Sequence, residues 1–285
     1  MEAAERALLE DALRKTLTTS GPGAAPDAAL AELGWAEMLA EEPGTTIPLV
    51  FRLLGETGSQ APVLNDVVLL AAGRPLGGTP PLPYAGGAWV RWARGDGAPA
   101  GPLDPGLPLR PAGPGTLPPP AMAAGRRALG WWLLGTGRAM LTLAREHVLD
   151  REQFGRPLAS FQALRHRLAE TFVALEAAEA VLVAAGAPAA DRPAGEDTEA
   201  LDDADAPDHT GALLAKAAAG RAALTAARHC QQALGGIGFT AEHALHRHVR
   251  RALVLDGLLG STRELTREAG RLLLRETRAP RLVDL

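Results

Sequence analysis

Apolar side chains recur at helical spacing near both ends of the chain and lose that rhythm in the middle. Ala3 to Leu13 reads as an amphipathic helix. Asp27 can cap a second, running to about Glu41 and closed by Pro43-Gly44. A third helical stretch runs from about Pro48 to Ala72, with a break predicted at Gly55 to Ser59. Residues 1–74 are therefore expected to form an N-terminal helical domain. Residues 75–120 hold thirteen of the 23 prolines, which excludes helix. Ala88 to Ala93 reads as a strand whose Trp89 and Trp92, at odd spacing, point to opposite faces. Gly95 to Pro120 is expected to be a linker or an arm of polyproline character.

Residues 121–285 are helical again. One long helix is predicted over about Ala121 to Asp150. Another spans Leu158 to Ala185, with Phe161, Leu164, Leu168, Phe172 and Leu175 on one face. The acidic, proline-containing stretch Gly186 to Pro207 reads as a mobile loop. Asp208 is a candidate cap for a helix over His209 to Leu234, and short helices follow from Ala241 and from Ser261. The fold class is mainly α: a four-helix, up-and-down C-terminal bundle, an N-terminal helical domain, and a reduced Pro/Gly-rich middle segment with little β-structure.

Composition narrows the function. The 285 residues are 47% hydrophobic and carry a formal net charge of −4, with no nucleic-acid footprint. Only Lys15 and Lys216 are lysine. The single cysteine, Cys230, excludes an internal disulfide and is expected to pack as a small buried residue. The acidic residues of the first fifteen positions do not suit a secretory signal. No apolar run reaches membrane-spanning length. A soluble, cytoplasmic protein is the expectation.

Two segments stand out. Arg151-Glu-Gln-Phe-Gly-Arg-Pro-Leu158, continuing to Phe161-Gln162, is a helix end, a turn at Gly155 and a new helix. It sets Arg151, Gln153 and Phe154 at an exposed corner, where an arginine fork matches phosphate oxygens. Gln232-Ala-Leu-Gly-Gly-Ile-Gly-Phe-Thr-Ala-Glu242, continuing to Leu245, Arg247 and Arg250, is a helix C-terminus followed by a glycine-rich turn. Gly235, Gly236 and Gly238 either cap that helix or admit a ligand's close approach. It is not a dinucleotide-binding GxGxxG loop, because a helix precedes it.

In this order and separation, over about residues 121–276, the two segments resemble the C-terminal domain of acyl-CoA dehydrogenases. That family places the bundle behind an N-terminal helical domain and a middle β-domain. The resemblance implies FAD. Residues matching Arg151, Gln153, Phe154, Leu158 and Phe161, with those matching Gln232 and Gly236, reach the nucleotide half of a neighbouring subunit's FAD. Gly235 belongs to the same turn. A family loop of aromatic-Glu-Gly-Thr matches Leu258-Leu259-Gly260-Ser261-Thr262-Arg263, so Ser261 and Arg263 are candidate cofactor contacts.

Leu259 stands where the family's usual catalytic glutamate stands. Family chemistry removes an α-proton from an acyl-CoA thioester while the β-hydrogen leaves as hydride to the flavin. A leucine accepts no proton. The alternative base position at the start of the long helix falls at Gly125, which also lacks a carboxylate. Residues 75–120 are too few for the family's middle domain. The resemblance thus implies a shortened, base-less subunit of a heteromer, for example α2β2. A full-length partner would supply the base and the acyl-CoA pocket, possible substrates including bulky or sterol side-chain thioesters. Two alternatives remain open: a self-sufficient homo-oligomer using Asp256 as a displaced base, and a non-enzymatic helical interaction protein without FAD. Asp256 reads otherwise as a solvated or salt-bridged residue near Arg250 or Arg251, and Glu264 as a first-turn carboxylate suited to the helix dipole. His243, His246 and His248 lack a metal-site pattern and read as polar surface residues among Arg247, Arg250 and Arg251. Trp131-Trp132 reads as core or subunit contact.

Overall fold

The computed structural model describes residues 3–95, 104–186 and 206–276. Five helices come first: α1 (Ala3–Thr19), α2 (Ala25–Glu32), α3 (Trp35–Glu41), α4 (Pro43–Thr57) and α5 (Leu64–Ala71). The helix expected from Asp27 to Glu41 is split, because Gly34 takes a left-handed conformation at φ 81°. Asp27 does not cap it. Ala24 holds that position, and Asp27 accepts hydrogen bonds from Arg94 at 2.9 Å. Pro43 starts α4, where its missing N–H and fixed φ suit the first turn. The break expected over Gly55 to Ser59 begins only at Gly58 and continues to Val63, because the helix runs on through Gly55 against the bundle.

The middle segment has more β-structure than its prolines suggest. Strands β1 (Pro81–Tyr84), β2 (Ala88–Trp92) and β3 (Leu109–Pro111) pair antiparallel in that order. The arm expected over Gly95 to Pro120 is thus partly a strand, its prolines being tolerable at an edge. Trp92 is buried while Trp89 is half-buried, as odd spacing requires.

The bundle comprises α6 (Pro119–Asp150), α7 (Gln162–Gly186), α8 (Ala206–Leu234), α9 (Leu245–Gly257) and α10 (Thr262–Glu276). Between α6 and α7 lies a tight hairpin of β4 (Glu152–Gln153) and β5 (Arg156–Pro157). Leu158 to Ser160 forms a 3-10 turn, so α7 starts later than its pattern suggested. Its buried face is Thr171, Leu175, Ala178 and Leu182. Phe172, one residue off that row, is 54% exposed. Asp208 lies inside α8 and not before it, and the helix expected from Ala241 starts only at Leu245. Of the expected acidic loop, residues 187–205 lie outside the described residues.

One core holds the three segments together. Trp132 of α6 stacks on Trp92 at 5.4 Å and meets Phe51 edge-on at 5.7 Å, and Trp35 lies 6.4 Å from Phe51. Helix α4 approaches α6 backbone to backbone: a Cβ on Gly135 would stand 2.1 Å from the Arg52 carbonyl, and one on Gly55 2.4 Å from that of Trp132. No other residue type permits that approach.

Candidate functional site

The candidate residues divide between opposite ends of the bundle. Helices α6 and α8 end together at one of them. Leu182 covers Gly130 and Leu175 covers Gly137. Thr171 meets His229 at 2.9 Å, and His243 lies 6.3 Å from His147. The chain thus runs up α6, down α7 and up α8.

At this first end Arg151, Gln153 and Phe154 are exposed. Phe154 and Gly155 take left-handed conformations at φ 55° and 74°, the geometry of a two-residue hairpin turn. Glycine suits it and phenylalanine does not, so Phe154 is held at a cost on the order of 1–2 kcal/mol. Its ring is 89% exposed. The Phe161 ring lies 6.1 Å away with the Arg156 guanidinium over it at 4.1 Å. Leu158 donates its N–H to the Arg151 carbonyl at 2.8 Å, closing the corner.

Across from it, Gln232 is exposed near the end of α8 and Gly235 turns the chain at φ 66°. Gly235 therefore does cap the helix, yet nothing lies within 4 Å of a Cβ built on it or on Gly236. Gly238 is different: it packs against Gln231 and Leu234. An open cleft of about 350 Å³ runs between Glu146, His147, Asp150, Arg151 and His243. It shares Glu146 with a groove of about 770 Å³ bounded by α1, α4, α6, α7 and α9.

The second end carries the loop 256–262. Leu259 is 1% exposed and left-handed at φ 54°. A Cβ on Gly125 would stand 2.5 Å from Leu259 Cδ1 and 3.0 Å from Val68 Cγ2. The two positions at which the resemblance looks for a base therefore share one space, and the leucine fills it. Neither cavity is lined by Leu259.

The loop is held from three sides. Leu259 donates its N–H to the Pro83 carbonyl at 2.8 Å, and Tyr84 lies over Gly257. Arg126, buried in α6, donates through Nε to the Leu259 carbonyl at 3.1 Å. Lys216 of α8 is fully buried and donates to the carbonyls of Asp256 at 2.9 Å and Gly260 at 2.5 Å. Burial lowers its pKa to about 7. Asp256 accepts from the Thr262 N–H at 3.1 Å and hydroxyl at 2.5 Å. Ser261 and Glu264 form a reciprocal cap on α10, with Ser261 N–H to Glu264 at 2.9 Å. Glu264 also accepts from Gly86 N–H at 2.8 Å, and these backbone and Ser261 hydrogen bonds hold its pKa below the usual carboxylate range. Arg263 is exposed.

Lys216, Arg126 and Tyr84 did not announce themselves as site residues, although Lys216 left a signal in being one of two lysines. The histidine reading also needs correction. His248 is 4% exposed, and burial depresses its pKa to about 4. Arg251 is buried too, paired with Asp104 at 2.6 Å. Among the described residues, no group of three His, Cys, Asp or Glu is placed to hold a metal ion. Nor is any helix there long and apolar enough to cross a membrane. Cys230 is buried, and burial pushes its thiol up to about 12.

The family profile described as "Acyl-CoA dehydrogenase, C-terminal domain" matches residues 120–271, more than half of the chain. The chain belongs to the acyl-CoA dehydrogenase family. It is similar to acyl-CoA dehydrogenase IpdE2 of Mycobacterium tuberculosis, 38% identical over 134 residues, which are 47% of this chain and 36% of that one. FadE34 of the same organism is 36% identical over 132 residues, 45% of this chain and 16% of that one. The matches thus span about a third or less of these relatives. Among solved structures, a variant of the Tcur3481-Tcur3483 steroid ACAD aligns with a TM-score of 0.69 at 20% identity, covering 97% of this chain and 99% of that one. The ChsE4-ChsE5 complex of M. tuberculosis aligns with a TM-score of 0.68 at 19% identity, over 97% and 98%. At such identities the likeness shows the acyl-CoA dehydrogenase fold.

Proposed function

We propose that this chain is the base-less subunit of a heteromeric, FAD-dependent acyl-CoA dehydrogenase. In this reading its first bundle end holds the nucleotide half of a flavin seated in a full-length partner. The segments 1–74, 75–120 and 121–285 correspond to the family's three domains, the middle one reduced to its small sheet.

One observation carries the reading: Leu259 fills the space that both candidate base positions share, and neither Leu259 nor Gly125 carries a carboxylate. A second supports the sharing of a flavin. Gly125 and Arg151 are separated by 26 residues of α6, roughly 39 Å at the helical rise. That is well beyond the reach of one extended dinucleotide. A flavin touching the Arg151 corner therefore has its reacting ring away from this chain's Leu259 loop. Ser261 and Arg263, at the far end, can only meet a different flavin.

The first end suits a pyrophosphate chemically. Arg151 is exposed, with no carboxylate partner among the described residues. Gly235 and Gly236 offer unobstructed backbone, and Phe154 an exposed aromatic face. The C-terminus of α8 carries partial negative charge, unfavourable to phosphate. The charge must therefore be met by the arginine. When bound, FAD would supply the hydride acceptor for α,β-dehydrogenation. This chain's residues bind and orient it, and the proton is removed elsewhere. The ChsE4-ChsE5 complex and the steroid ACAD, both named as pairs, favour a two-subunit assembly and a bulky, sterol-type thioester.

Co-expression with a full-length acyl-CoA dehydrogenase subunit tests this. A yellow, active complex is expected, with this chain colourless and inactive alone. A pure homomer that turns over an acyl-CoA refutes it.

A further inference from the structure

Helix α10 carries Arg263, Arg267, Arg271 and Arg275, all exposed, at four-residue spacing. The row extends roughly 18 Å and drifts slowly around the helix. Its opposite face is fixed: Leu265 and Ala269 are buried against Leu213 and Ala217 of α8. The arginines thus stand on a rigid support. Several partly or fully buried arginines elsewhere have carboxylate partners: Arg52 with Glu10 and Glu56, Arg94 with Asp27 and Asp66, Arg138 with Glu176, and Arg251 with Asp104. Among the described residues none of the four on α10 does. Two of the helix's three acids are engaged, Glu264 with Ser261 and Gly86, and Glu268 with His209 and Arg126. Like charges at this spacing repel and destabilise the helix.

Leu274 lies on the same face, within about 20° of Arg267, and is 83% exposed. An apolar anchor among arginines is the anatomy of a protein interface. A nucleic acid is disfavoured by the chain's net charge of −4. A lipid surface would want more than one exposed leucine beside the cations.

We propose that the outer face of α10 is a docking surface for an acidic helical segment of a partner protein. The segment presents carboxylates at four-residue spacing and a small apolar pocket for Leu274. Arg267, Arg271, Arg275 and Leu274 take no part in the flavin reading, which uses only Arg263 of this row, and the surface lies at the other end of the bundle from the Arg151 corner.

The probe is a labelled helical peptide with four glutamates at four-residue spacing, flanking alanines that leave room for Leu274. It is titrated with the full chain at about 50 mM and about 300 mM salt. Binding is expected to weaken with salt and to fall about tenfold or more in the double variant Arg267→Glu/Arg271→Glu. The uncharged pair Arg267→Gln/Arg271→Gln should show an intermediate loss, and Leu274→Ala a loss of several-fold, each with unchanged circular dichroism. Peptide binding that is unaltered in the double variants overturns the proposal. So does tighter binding of the wild-type chain to duplex DNA or to phosphatidylserine vesicles than to the peptide.

Discussion

Replacing Leu259 by Glu restores the family's residue at the family's position, and the structure argues that it restores nothing else. The leucine is 1% exposed, so its loss removes about 1.5–3 kcal/mol of burial. An acid in its place is desolvated at a further several kcal/mol unless paired. The nearby cations offset this only in part, because Arg126 and Lys216 already bond carbonyls of the same loop. The left-handed backbone disfavours both side chains alike, so that strain cancels. The expected loss is about 4 kcal/mol or more, a large share of the roughly 5–15 kcal/mol that stabilises a protein. It should lower the melting temperature by on the order of 10 °C. Leu259→Gln separates shape from charge. A buried acid has a raised pKa in the folded state, so its charge penalty is absent at low pH. It grows as pH rises through and above the unfolded carboxylate value of about 4.3. Urea midpoints of the Glu and Gln variants should therefore coincide near pH 4 and diverge towards neutrality. A Leu259→Glu chain as stable as wild type at neutral pH, and able to reduce a flavin with acyl-CoA unaided, would refute the reasoning.

Other outcomes follow from the same structure. Gly135→Ala drives a methyl group into the Arg52 carbonyl and should cost about 1–3 kcal/mol or more by urea unfolding, since backbone cannot step aside. Arg251→Ala strands the buried Asp104 carboxylate and should cost about 3–5 kcal/mol by urea unfolding. His248 is neutral in the folded state, with its pKa depressed to about 4 against about 6.5 unfolded. Its contribution is therefore complete above pH 6.5 and is lost as pH falls towards 4, about 3 kcal/mol in all; a His248→Gln variant should flatten that part of the pH–stability curve. Asp256→Asn should weaken the cap on Thr262 by about 1 kcal/mol and leave the activity of the complex intact, whereas a base at this position would take all activity with it.

The lengths of α6 and α8 were legible from their unbroken helix-forming runs, although both are buried nearly all round through much of their length. Periodicity failed where local backbone chemistry intervened. Gly34 divides a helix that the apolar pattern leaves whole. Pro43 opens a helix where it seemed only to close one, and β3 pairs through prolines because an edge strand needs few of its amides. Spacing puts Phe172 on one face with Leu168 and Leu175, yet it stands one residue off the buried row of α7 and turns to solvent. The candidate motifs were legible as local patterns, and the corner at Phe154 lies on the surface as expected. What the sequence withheld was distance: Ser261 and Arg263 share the family motif set with Arg151, yet most of the length of α6 separates them. Buried charge was also invisible. Nothing in the local sequence marks Arg251 or His248 as interior, because Asp104 and Gly55, which accept their hydrogen bonds, are far away along the chain.

Flavin occupancy of the co-expressed complex is the most direct probe of the division of labour between the two subunits. An Arg151→Ala/Phe154→Ala chain should still assemble, since both side chains are exposed and support no core. The complex should lose most of its 450 nm absorbance per protein, with Leu259→Gln leaving occupancy unchanged. Full flavin content in the Arg151→Ala/Phe154→Ala complex would contradict the claim that this end of the bundle holds the nucleotide.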